Sequence, residues 1–283
     1  MHFVPRVVDA MAEPELDLID SHCHLTLDPL GDQVGAVLDR ARAAGVRRCI
    51  TVGTDLADSR AAIELAGRFD NVWATAGVHP HEAGKANETT WSGLAELIEK
   101  RCQESFLRGP TAVGETGLDY HYDLSDRASQ RAAFARQIAL AERYELPLVI
   151  HCRQAVDDAL AVLAEHSQRQ AWGVFHCFTG TRAEAVRILD AGWHISLSGI
   201  VTFKNATDLR QAAKVVPLDR LLIETDAPYC SPEPIRKIRP NEPAHIVHTC
   251  RFLADLHDLQ PVELGQRCSV TTEHLFGLTQ QHE

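Results

Sequence analysis

Short apolar runs, bounded by glycine, proline or polar residues, recur along this chain at 16–21, 48–53, 72–78, 111–115, 147–151, 173–177, 193–198 and 220–225. Each is too brief for a helix and reads as a buried β-strand. Between them the apolar positions move to helical spacing, as at 32–43, 59–66, 130–144, 155–165, 183–190 and 205–214. Thr181, with Glu184 three residues on, predicts a capping box at the start of one helix. Gly45 and Gly192 are expected helix stops, and Pro147 opens a strand. Eight strands separated by helices predict one parallel (β/α)8 barrel, an α/β TIM barrel. In that architecture every strand delivers its carboxyl end to the same rim, where chemistry is done. Residues 1–15 read as a short N-terminal extension and 16–283 as the barrel domain. The proline-rich stretch 228–243 reads as a long loop over the site mouth, before closing helices from Ala244 onward.

Composition narrows this picture without changing it. A chain of 283 residues with 45% hydrophobic content suits a single barrel, which commonly takes roughly 250 residues. With 28 Lys+Arg against 39 Asp+Glu, the formal charge of −11 argues against broad, salt-driven gripping of duplex nucleic acid. A local basic rim can still hold phosphates. The first fifteen residues carry acids and prolines and no long apolar run, so a signal peptide is not expected. No run is long enough to span a bilayer, and a cytoplasmic location is expected. Eight cysteines without a CxxC pair predict reduced, buried thiols. Cys23, Cys152 and Cys177 each follow a candidate histidine, and strand alternation is expected to turn them away from it into strand–helix packing.

The candidate chemistry lies at the ends of the predicted strands. His22 and His24 stand two apart and so share a strand face. Glu115, His151, His176 and Asp226 each close or directly follow another apolar run. Four imidazoles and two carboxylates exceed the needs of one tetrahedral ion and suit two divalent ions sharing a carboxylate. We assign His22, His24 and Asp226 to one ion and His151 and His176 to the other, with Glu115 as the bridge. Zinc, manganese and magnesium all accept this donor set. Two ions about 3.5–4 Å apart lower the pKa of a shared water, and Asp226 is placed to accept its proton. His79 and His81 are candidates for phosphate contact or ligand support, against a structural role in the turn. Asp119 and Tyr120 are candidates to orient a ligand imidazole. Arg153, Lys204, Arg236, Lys237 and Arg239 are candidates for a phosphate-gripping rim, and Phe178, Phe203 and Tyr229 for stacking on bases. Glu224 shares the face of Asp226, with a polar layer in the barrel as the plainer reading.

Seven segments in order resemble the TatD family of metal-dependent hydrolases. They are Asp20-Ser-His-Cys-His-Leu25, Gly77-Val-His-Pro-His81, Val113-Gly-Glu-Thr-Gly-Leu-Asp-Tyr120, Ile150-His-Cys-Arg153, Phe175-His-Cys-Phe-Thr-Gly180, Ser198-Gly-Ile-Val-Thr-Phe203 and Glu224-Thr-Asp-Ala-Pro-Tyr229. The resemblance implies a two-metal TIM barrel acting as a deoxyribonuclease, in several members a 3′–5′ exonuclease on single-stranded DNA or RNA. It implies nucleic acid as the substrate partner; from the sequence no membrane is expected, and no stable protein partner is implied. D-aminoacyl-tRNA deacylation, or other metal-dependent ester or amide hydrolysis, is the alternative. One departure lies at Arg236-Lys-Ile-Arg-Pro-Asn-Glu-Pro243, where Lys237 replaces a family glycine and Pro240 is an insertion.

Overall fold

The computed structural model describes residues 16–100 and 109–278; the expected extension at 1–15 lies outside the described residues. Eight strands form one sheet in sequence order: β1 Leu18–Cys23, β2 Val46–Thr51, β3 Val72–Ala76, β4 Ala112–Asp119, β5 Leu148–Arg153, β6 Gly173–Phe175, β7 His194–Leu197 and β8 Leu221–Ile223. All seven neighbouring pairs are parallel. The barrel closes just beyond β8, where Asp226 N donates to His22 O at 2.9 Å and His24 N donates to Ala227 O at 2.7 Å. Below this seam Asp20 accepts from Thr225 N at 2.9 Å and Thr225 Oγ1 at 2.5 Å.

Outside the barrel lie α1 Val34–Ala43, α2 Leu56–Arg68, α3 Glu88–Lys100, α4 Arg127–Tyr144, α5 Val156–His166, α6 Arg182–Asp190, α7 Thr207–Ala213, α8 Ile246–Leu256 and α9 Pro261–Phe276. Thr181 and Glu184 form the expected capping box of α6. The helix α3 has no counterpart among the helical stretches read from the sequence. It buries Leu94 and Ile98, four apart, against the barrel.

Alternation along the strands sorts the core into two compartments. Leu148, Ile150, Phe175, Leu221 and Ile223 pack outward against helices. Val149, Val174 and Leu222 point inward, joining Ile19, Ile50 and Ala112 in a layer stopped by Leu275, Phe276 and Leu278. The same alternation carries His151, two residues after Val149, and His176, two after Val174, to the interior at the opposite end. The strand β1 needs a correction of phase. A register shift between Asp20 and Cys23 leaves Ile19 inward, Cys23 outward in the core, and His22 and His24 on the site.

Close approach of β4 and β5 requires glycine at 117. Gly117 has φ +127°, and a Cβ there would lie 2.1 Å from the His151 carbonyl oxygen. Gly117→Ala is therefore expected to destabilise the fold by on the order of 2–4 kcal/mol through backbone conformation and steric clash. A lowered urea midpoint checks this; an unchanged midpoint would show that the strands can part freely.

Candidate metal centre

His22, His24, Glu115, His151, His176 and Asp226 converge at the carboxyl rim, although not all sit where the sequence pattern puts them. Glu115 does not end its strand, because β4 runs on to Asp119. It sits at a register shift between Val113 and Thr116, and its N–H donates to Gly53 O at 2.9 Å, outside the β4–β5 ladder. His176 and Asp226 follow the last residues of β6 and β8, and Asp226 has φ 54°.

The two oxygens of Glu115 face different groups. On one side His22 Nε2 is 3.5 Å from Oε2 and His24 Nε2 is 3.8 Å from it. The two imidazole nitrogens are 3.3 Å apart, and they lie 3.8 and 3.5 Å from Asp226 Oδ1. On the other side Oε1 is 2.7 Å from His176 Nε2, 2.9 Å from His151 Nδ1 and 3.3 Å from His79 Nε2. Ligand atoms bound tetrahedrally at about 2.0–2.2 Å stand roughly 3.4 Å from one another. Five of the six separations among His22, His24, Glu115 and Asp226 are 3.3–3.8 Å and bracket that value, so these donors fit a divalent cation. The groups His22–His24–Glu115 and His79–Glu115–His151 each bring potential ligand atoms within 4.8 Å of one another.

Supporting contacts aim these rings. His24 Nδ1 lies 3.3 Å from Val52 O; donation to that carbonyl leaves Nε2 with its lone pair toward the cluster. His151 Nε2 is 3.0 Å from Asp119 Oδ2, which leaves Nδ1 for the centre. Asp119 Oδ2 also meets His81 Nε2 at 2.9 Å, while Oδ1 accepts from the His121 and Tyr122 N–H groups at 3.0 and 2.8 Å. His176 stacks on His22 with centroids 3.8 Å apart, and its Nδ1 faces Glu224 Oε1 at 3.4 Å. Glu224 also accepts from the Cys177 N–H at 2.6 Å. His79 Nδ1 accepts from the His81 N–H at 3.1 Å, so its neutral ring carries hydrogen on Nε2 toward Glu115. His79 is accordingly a donor to the centre more than a ligand.

The charges follow from these neighbours. Burial pushes the Glu115 carboxyl up, but the His176 and His79 imidazoles and hydrogen bonds from His151 and His176 hold it well below its ordinary range. Burial opposes ionisation of Asp226 too, and His24 and His22 bring it down to about 2. Burial drives His79 down to about 4 against the pull of Glu115. Both carboxylates are therefore charged at neutral pH, as cation ligands must be.

A cavity of about 520 Å³ opens above the cluster, lined by His79, His81, Asp119, Arg153, Tyr122 and Tyr229 among others. Tyr122 and Tyr229 stand at its mouth with 60% and 54% exposure. Tyr229 was an expected stacking residue, and Tyr122 was missed; its signal was the aromatic pair two residues apart after Asp119. Other candidates lie elsewhere. Tyr120 turns from the cavity to donate to Asp158 Oδ2 at 2.7 Å beneath the Arg127 guanidinium. Phe203 does not line the cavity; Arg236 covers its ring at 3.8 Å. Lys204, Lys237 and Arg239 are likewise absent from the lining. Phe178 is corrected outright: at 2% exposure it belongs to the core between strands and helices. The cysteines need correction as well. Cys23 packs outward as expected, but Cys152 and Cys177 line the cavity because β5 and β6 are ending there.

Comparison with known proteins agrees with this geometry. The family model described as TatD related DNase matches residues 19–277. The uncharacterized metal-dependent hydrolase YcfH of Escherichia coli K12 is 40% identical over 92% of this chain and 95% of its own length. The 3′–5′ ssDNA/RNA exonuclease TatD of Klebsiella pneumoniae is 35% identical over 92% of this chain and 98% of its own. Among solved structures, the TatD homologue YjjV of Escherichia coli K12 superposes with a TM-score of 0.86 at 30% identity, covering 93% of this chain and 98% of that one. The chain belongs to the TatD-related DNase family of metal-dependent hydrolases.

Proposed function

We propose that this protein is a two-metal phosphodiesterase, a 3′–5′ exonuclease on single-stranded DNA or RNA. The observation that carries this reading is the divided Glu115 carboxylate, with His22 and His24 near one oxygen and also beside Asp226, and His151 and His176 around the other. These residues are the proposed ligands, and Glu115 the proposed bridge. Two divalent ions, magnesium, manganese or zinc, would supply a water of lowered pKa and neutralise charge developing on the phosphoryl oxygens.

The protein's own groups do the rest. Asp226, held ionised, accepts the proton of the attacking water and keeps Oδ1 toward His24. Arg153 lines the cavity as a donor for phosphate oxygens, and it is the one Lys or Arg in that lining among the described residues. A single cation suits an end-on grip of one or two phosphates, where a long duplex needs many. Tyr122 and Tyr229 offer exposed ring faces to unpaired bases at the mouth. The exonuclease-named TatD relative supports the substrate class. The seven described cysteines are free thiols, which fits a reducing compartment such as the cytoplasm. No helix among the described residues is long and apolar enough to cross a membrane.

Asp119→Asn tests the support of His151. Weakening that acceptor is expected to reduce metal affinity about 10–100-fold, with activity recovered at high metal concentration. Metal titration with activity measured in parallel checks it, and an unchanged affinity would remove Asp119 from the centre. The function itself is tested with a 5′-labelled single-stranded oligonucleotide and added magnesium, manganese or zinc. The parent should give a ladder shortening from the 3′ end, and His151→Ala should give none. Absence of cleavage by metal-loaded parent would reject the nuclease reading, and release of the amino acid from D-aminoacyl-tRNA would replace it with deacylation.

A further inference from the structure

Asp226 is shared, like Glu115, between two environments. Its Oδ1 faces His22 and His24, while its Oδ2 is 3.5 Å from Cys230 Sγ. Cys177 Sγ completes the second group: the two sulfurs and an Asp226 oxygen lie within 4.8 Å of one another. Cys177 and Cys230 are half-buried and line the cavity, so a solvated ion can reach them. Neither thiol has a part in the hydrolytic reading.

We propose that Cys177, Cys230 and Asp226 form a separate site for a thiophilic divalent cation, zinc or cadmium in class, whose occupation engages a carboxylate the hydrolytic centre needs. Two thiolates and a carboxylate are a soft donor set, which magnesium and manganese avoid and zinc and cadmium prefer. The spacing agrees. Sulfur and oxygen bound tetrahedrally at about 2.3 and 2.1 Å stand roughly 3.6 Å apart, close to the separation of Cys230 from Asp226. Binding balances simply: the cation forms bonds to both sulfurs and the Asp226 oxygen, and the two thiol protons leave to solvent. The cavity supplies a fourth position for water. Oxygen-preferring ions thus load the hydrolytic centre and leave this site alone, while excess thiophilic ion occupies both. The protein would then be inhibited by a metal that is not a competitor for substrate.

The test titrates reduced, magnesium-loaded protein with cadmium chloride and follows thiolate-to-cadmium charge-transfer absorption in the ultraviolet. The parent and Cys152→Ser, a cavity cysteine outside the group, should show a band saturating at a single cadmium per chain. Cys230→Ser should lose the band or bind about tenfold or more weakly, since losing a direct ligand costs at least what losing a supporting partner does. Cys230→Ala should repeat the result, with far-ultraviolet circular dichroism and magnesium-supported activity unchanged in both variants. A parent without the band, or a Cys230→Ser variant that keeps it, overturns the site. Cadmium at saturation of the band should also inhibit hydrolysis by the parent and spare Cys230→Ser. That arm alone rests on the hydrolase reading; the absorption result stands whatever the substrate.

Discussion

The structure turns on one buried carboxylate. Glu115 is 3% exposed, yet it keeps its charge because His176, His79 and His151 crowd one oxygen and His22 and His24 stand near the other. A charge so buried is tolerable only when it is matched on every side. The match has to come from distant parts of the chain: β1, the turn after β3, β5 and the end of β6. A barrel of parallel strands is the arrangement that brings those ends to one place without long loops.

Around that carboxylate the interior divides along the barrel axis. Toward the amino ends of the strands, Ile19, Ile50, Val149, Val174 and Leu222 fill the barrel and Phe276 stops it. Toward the carboxyl ends the same positions turn polar, and Asp20, Asp119 and Glu224, each 0% exposed, take up the hydrogen-bonding capacity. The apolar half supplies rigidity through burial. The polar half uses it: Asp119 can hold His151 only because Gln130 and the backbone N–H groups of His121 and Tyr122 hold β4's end in place. Beyond the barrel, Arg40 grips Glu242 through paired contacts of 2.6–2.9 Å, and Asn241 Nδ2 donates to Thr225 O at 3.0 Å. These contacts anchor the loop that carries Tyr229 and Cys230.

Much of this was legible in the sequence, for physical reasons. Strands buried on both faces must be short and apolar, and a polar residue at the end of such a run costs too much to be placed idly. His22, His24, His151, His176 and Asp226 therefore declared themselves. What escaped was whatever alternation does not govern. Counting by twos from Ile19 would turn His22 outward, and only the register shift in β1 corrects the phase. Glu115 looked like a strand end because the apolar run stops there, although the backbone continues in β form through Gly117 to Asp119. Phe178 and Tyr120 were misplaced for a related reason: once a strand ends, the direction of a side chain depends on loop turns. The left-handed residues Cys177, Asp226 and Cys230 set those turns without the glycine that would have marked them. The helix α3 carries its apolar stripe on Trp91, Leu94, Leu97 and Ile98, a helical spacing that the sequence shows and that the reading of helical stretches passed over.

Anomalous diffraction from crystals grown with manganese, in parent and Glu115→Gln protein, reads out whether two ions are divided by Glu115. Two anomalous peaks are expected in the parent, one beside each Glu115 oxygen, with His22, His24 and Asp226 at the first and His151 and His176 at the second. Glu115→Gln should lose one or both. A single peak in the parent, or two peaks that persist unchanged in the variant, would contradict that division.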